Sequence, residues 1–97
     1  MIPDDFVQLH ATVDGRVQGV GFRYFVKMIA EELNLAGWVR NKMDGRVEVL
    51  AEGSHESLET LLAALRRGSH SSYVTEVRVE WNPASEVYKR FSIAPSE

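Results

Sequence analysis

The sequence predicts an α+β sandwich in which two helices cover one face of an antiparallel sheet. Three observations carry this expectation: apolar residues alternate in several short segments, the period switches to a helical one in two places, and each helical segment has a single apolar stripe. Helices with one stripe each cannot cover both faces of a sheet, so both are placed on the same side.

The elements follow in order. Residues 6 to 14 place Val7, Leu9, Ala11 and Val13 on one face and Gln8, His10, Thr12 and Asp14 on the other, as a strand with one covered face requires. From 21 to 35 the spacing becomes helical through Phe22, Phe25, Val26, Ile29, Ala30 and Leu33, with Gly37 placed to end the helix. Residues 38 to 41 read as extended. Asp44-Gly45 supplies a turn, and Val47, Val49 and Ala51 then alternate through 46 to 53, giving a hairpin. Ser54 is suited to cap a second helix with the stripe Leu58, Leu61, Leu62 and Leu65; its first turns hold Glu56 and Glu59, and its end holds Arg66, Arg67 and Gly68. Val77, Val79 and Trp81 mark another strand, broken by Asn82-Pro83-Ala84-Ser85, and residues 87 to 93 form a last strand candidate with Lys89, Phe91 and Ile93 on one face. The order is βαββαβ with a late extra strand, the ferredoxin-like split βαβ arrangement.

The bounds are simple. A chain of 97 residues suits one domain spanning residues 1–97, with one small core. No apolar run approaches the ~20 residues of a membrane helix, the first residues lack the basic and apolar regions of a signal peptide, and cytoplasmic localisation is the expectation. Without cysteine, disulfide and thiol chemistry are excluded. A net charge of -3 argues against general nucleic-acid or anionic-membrane binding. Residues 15 to 30, however, carry Arg16, Arg23 and Lys27 with no acid, and 37 to 47 carry Arg40, Lys42 and Arg46 against Asp44 alone. Two basic patches in an acidic chain suit a small anion.

One of those patches falls at the turn from the first strand into the first helix, where the chain reads Gly-Arg-Val-Gln-Gly-Val-Gly-Phe-Arg over residues 15 to 23. Glycines there permit positive φ and close backbone approach, the first amides of a helix are unpaired donors, and Arg23 adds a planar fork. The segment is neither a Walker loop nor the dinucleotide fingerprint, and taken alone it is equally a tight turn with a solvated arginine. Gln18 either shapes this loop by hydrogen bonding or is exposed.

A second segment, Gly37-Trp38-Val39-Arg40-Asn41 followed by Asp44, Gly45 and Val47, joins the first in proper order, and together they resemble the acylphosphatase family over nearly the whole chain. The resemblance implies hydrolysis of the carboxyl-phosphate bond of small acyl phosphates. It implies that Val17, Gln18, Gly19, Val20, Gly21, Phe22 and Arg23 hold the phosphoryl group, and that Arg23 and Asn41 are the catalytic pair, with Asn41 orienting the attacking water. Such chemistry requires no cofactor and no metal, because a carboxylate leaves without a protein acid and phosphoryl transfer rests on positioning and charge stabilisation. The partners expected are the acyl phosphate and inorganic phosphate, with no nucleic acid, no membrane and a monomeric chain.

Other readings are weighed on the same residues. Phe22, Phe25, Ile29 and the leucines of the second helix follow the stripe and are assigned to the core. Arg16, Lys27, Arg40, Lys42 and Arg46 raise the local potential or are solvated charges. His10, His55 and His70 are dispersed, without partnering acids, which makes a metal site improbable. Trp38 and Trp81 pack, unless Trp38 borders the site. Residues 21 to 26 faintly echo an RNA-recognition strand, but their period is helical and the chain is acidic. A carrier-like domain of a larger assembly is the remaining alternative; the absence of further motifs favours a free-standing enzyme.

Overall fold

The computed structural model describes residues 5–97. The chain folds as β1 (Phe6–Arg16), α1 (Phe22–Glu32), β2 (Ala36–Asn41), β3 (Val47–Ser54), α2 (His55–Arg67), β4 (Tyr73–Pro83) and β5 (Phe91–Ile93). The strands form one sheet in the order β4-β1-β3-β2-β5, antiparallel except for the parallel β2–β5 pair. This is the ferredoxin-like α+β fold.

Alternation decides the layers. Leu9, Ala11 and Val13 of β1, Val39 of β2, and Val47, Val49 and Ala51 of β3 point to the helix side, where they are fully buried against Phe22, Val26 and Ala30 of α1 and Leu58, Leu61 and Leu65 of α2. The opposite face is polar. There Glu48 accepts from His10 Nε2 at 2.6 Å and from Arg40 Nε at 2.8 Å, and Arg40 lies 4.6 Å over the Trp38 ring. His10 Nδ1 also lies 3.8 Å from Glu80, and His55 lies 3.5 Å from Glu59, so two of the three histidines do have partnering acids.

Several boundaries differ from the sequence expectation: β1 runs on to Arg16, and β4 includes Asn82 and Pro83, residues expected to break it, because both still pair with β1 at Gln8 and Val7. The first helix stops at Glu32 rather than near 35, because Asn34 takes the left-handed conformation (φ 57°) and the Leu35 N–H turns back to the Ala30 carbonyl. Gly37 therefore ends no helix; it sits within β2 at φ 142°, where the backbone of β3 comes so close that a Cβ would lie 1.9 Å from the Leu50 carbonyl oxygen. The final strand is only three residues long, since Glu52 captures the connection before it: the carboxylate accepts from the Ser85 and Glu86 N–H groups and the Ser85 hydroxyl. Lys89 is thereby left exposed, off the strand, while Phe91 is buried.

Candidate anion site at the end of the sheet

The split βαβ topology sends the chain from β1 to β2 over the end of β3, which lies between them. In register, Val13 of β1 faces Val47 of β3, which faces Asn41 of β2. With strands ~4.8 Å apart, Asn41 thus lies about 10 Å across the sheet from β1, and the β1–α1 loop must span that gap. The loop does so with glycine geometry at its apex. Gly19 (φ 73°) and Gly21 (φ 78°) are both left-handed, with open space where a Cβ would stand. Val17 and Phe22 anchor the two ends of the loop in the core, while Gly19 and Gly21 are exposed and Gln18 and Val20 half-buried.

The two helices treat their N-termini differently. α2 is closed: Ser54 accepts from the Ser57 N–H at 3.2 Å, and Glu56 offers its charge to the first turn. α1 begins at Gly21, which has no capping side chain, and its first turn has no acid. Among the described residues, no peptide N–H from 18 to 24 donates to a protein acceptor; the first donor in the helix is Phe25, to the Gly21 carbonyl. A run of unspent donors at the positive end of a helix dipole attracts an anion. Arg23, half-buried in that first turn, has no hydrogen-bond or ion-pair partner among the described residues, so its fork is also uncommitted.

Asn41 closes β2 on the core-facing side, since it alternates with Val39, whereas Trp38 and Arg40 project to the opposite face. Trp38 therefore does not border this site; its indole N–H reaches the Tyr88 hydroxyl at 3.3 Å. The Asn41 carbonyl accepts from the Glu97 N–H at 2.9 Å, which fixes the main chain, but its side-chain Oδ1 is buried and meets no donor among the described residues. An unpaired buried acceptor costs about 1–3 kcal/mol, a condition that Asp14 Oδ2 and Ser69 Oγ share among the described residues.

Gln18 resolves the choice left open by the sequence. It reaches across to the β2–β3 hairpin and donates through Nε2 to the carbonyls of Lys42 and Arg46, both at 2.8 Å. Loop and hairpin are thereby joined one residue from Asn41. The hairpin turn is itself stiffened by Asp44, which accepts from the Arg46 N–H and guanidinium; those hydrogen bonds pull the Asp44 carboxyl down to about 2 and push the Arg46 guanidinium up. Lys42 and Arg46 are thus drawn partly toward carboxylates, Glu48 at 3.9 Å and Asp44 at 2.6 Å, rather than standing free. A separate hollow walled by Phe6, Trp81, Pro83 and Ala84 lies at the other end of β1.

The chain belongs to the acylphosphatase family, whose sequence model matches residues 9–93. Among its relatives it is similar to an acylphosphatase of Bacillus velezensis, 53% identical over 88 residues that cover 91% of this chain and 98% of the relative. The fold superposes on the crystal structure of acylphosphatase from Bacillus subtilis with a TM-score of 0.88 at 51% identity, covering 91% of this chain and 98% of that one. The structure of an acylphosphatase from Coxiella burnetii gives a TM-score of 0.86 at 39% identity, covering 93% and 94%.

Proposed function

We propose that this chain hydrolyses acyl phosphates to a carboxylate and inorganic phosphate, using the loop amides and Arg23 to hold the phosphoryl group and Asn41 to aim the water. Membership of the acylphosphatase family supports the reaction class. The observation that carries the residue roles is the conjunction, at one end of the sheet, of unspent N–H donors from 18 to 24, an uncommitted guanidinium and an unpaired buried carboxamide oxygen.

The division of labour follows from charge. Peptide N–H groups and the Arg23 fork stabilise negative charge on the equatorial phosphoryl oxygens as the water oxygen approaches phosphorus and the bond from phosphorus to the acyl oxygen breaks. The departing group is a carboxylate, whose conjugate acid has a pKa near ~4, so it leaves without a proton from the protein. Asn41 cannot accept a proton at any relevant pH, and its contribution is geometric: its carboxamide holds the water in line. The proton of that water passes to the phosphoryl oxygens, which leave as inorganic phosphate. The substrate class is a small molecule, the site requires no cofactor, and the chain acts as a cytoplasmic monomer built as one domain.

The test is hydrolysis of an aryl acyl phosphate in the presence of chelator. The native chain turns over; Asn41→Ala loses about 10²–10³ in kcat with phosphate inhibition retained, and Arg23→Ala loses a comparable factor together with phosphate binding. A native chain without turnover, or variants that keep full activity, contradict the proposal.

A further inference from the structure

We infer that Gln18 is a positioning residue, a strut whose carboxamide sets the distance between the anion loop and Asn41. This rests on the proposed hydrolysis but concerns a side chain whose nitrogen is engaged by main-chain carbonyls of the hairpin. Its two 2.8 Å hydrogen bonds run from one nitrogen to two main-chain carbonyls on opposite sides of the hairpin neck, Lys42 and Arg46.

Those carbonyls do not need Gln18 to be satisfied. The Lys42 carbonyl already accepts from the Gly45 N–H at 3.2 Å, and the Arg46 carbonyl from the Lys42 N–H at 2.8 Å, so the turn closes by its own hydrogen bonds. What Gln18 adds is a connection between two units that differ in task. One unit, the loop and the first turn of α1, holds the donors and Arg23; the other, the end of β2, holds Asn41, whose main chain is braced from the far side by the Glu97 N–H. The phosphorus position belongs to the first unit and the water position to the second. In-line attack depends on their separation, and a misplacement of ~1 Å costs up to about 10²-fold in rate.

The strut therefore acts on the chemical step more than on phosphate affinity, which the loop amides and Arg23 supply alone. Gln18→Met keeps the length of the side chain and removes both donors. With an aryl acyl phosphate as substrate and inorganic phosphate as inhibitor, the expected result is a fall in kcat of about 10- to 100-fold with the phosphate inhibition constant changed less than about threefold. In the Asn41→Ala background the same change lowers kcat by less than about threefold, because the water it helps to place is no longer held.

Equal losses from Gln18→Met in both backgrounds overturn the inference, as does a parallel loss of turnover and phosphate affinity, which marks a residue that only keeps the loop folded. Inactivity of the native chain overturns the proposed hydrolysis as well, and so distinguishes the two failures. A second measurement needs no variant: in the native protein saturated with phosphate, the Gln18 side-chain NH₂ resonances exchange slowly with solvent, and fast exchange contradicts the strut even if Gln18→Met fails to fold.

Discussion

At the residue scale, the proposed function uses groups that folding leaves unspent. Arg23 and Asn41 are legible in the sequence because they stand in two motifs in fixed order, but the motifs do not say why these side chains are available. The structure supplies the reason: neither the Arg23 guanidinium nor Asn41 Oδ1 has a partner among the described residues, whereas Arg40, a residue before Asn41, is bound to Glu48 and Glu97. Gln18 was undecided in sequence because its partners are main-chain carbonyls more than twenty positions away, and a main-chain acceptor leaves no signature in residue type. The glycines separate by the same logic. Gly19 has positive φ but open space around a Cβ, so Gly19→Ala is expected to cost only the backbone strain, about 1–2 kcal/mol, with the fold intact; chemical denaturation and circular dichroism check this.

At the element scale, the contrast between helix starts supports placing the proposed anion site at the start of α1. α2 is sealed by Ser54 and Glu56, both readable from sequence, while the start of α1 is recognisable as open only by what it lacks. The misplaced end of α1 has a physical cause too. Glycine is the usual left-handed stop, yet here Asn34 serves and Gly37 is spent on close approach to β3. Gly37→Ala should therefore act through the β2–β3 pairing rather than the helix. Clash with the Leu50 carbonyl and positive φ together predict a loss of ~3 kcal/mol or more, read as a lower denaturation midpoint, with Asn41 displaced and activity reduced in whatever folds. The short β5 escapes sequence analysis because Glu52 holds residues 85 and 86 through hydrogen bonds to their backbone N–H groups, an interaction with no periodicity.

At the scale of the whole molecule, the sheet divides the protein into a dry side that positions the loop and a charged side whose stabilisation is lost in acid. Among the described residues, no helix is long and apolar enough to cross a membrane. The fold class and the faces of β1, β3 and α2 were legible because one buried face per element imposes a strict period. The ion network was not, since Glu48 and Glu52 look like ordinary outward positions of an alternating strand. Burial pushes both carboxyls up, but the hydrogen bonds from His10 and Arg40 to Glu48, and from Ser85, Gln8 and Glu86 to Glu52, outweigh it and leave both below the usual 4.5. A carboxyl depressed in the folded state contributes stability above its unfolded pKa and loses it as pH falls through the folded value. The denaturation midpoint is thus expected to be level from neutrality to about pH 5 and to decline below it. Glu52→Gln should cost about 1–3 kcal/mol at neutral pH and flatten that decline, as chemical denaturation at a series of pH values will record.

The central claim, that the peptide N–H groups of one loop form the seat for a phosphoryl group, is tested most directly by titrating inorganic phosphate into ¹⁵N-labelled protein and following the amides. The account predicts saturable shifts concentrated at residues 18 to 24 and in the Asn41 side chain, weakened strongly in Arg23→Ala. Saturable binding that leaves those amides unmoved while shifting others would contradict it.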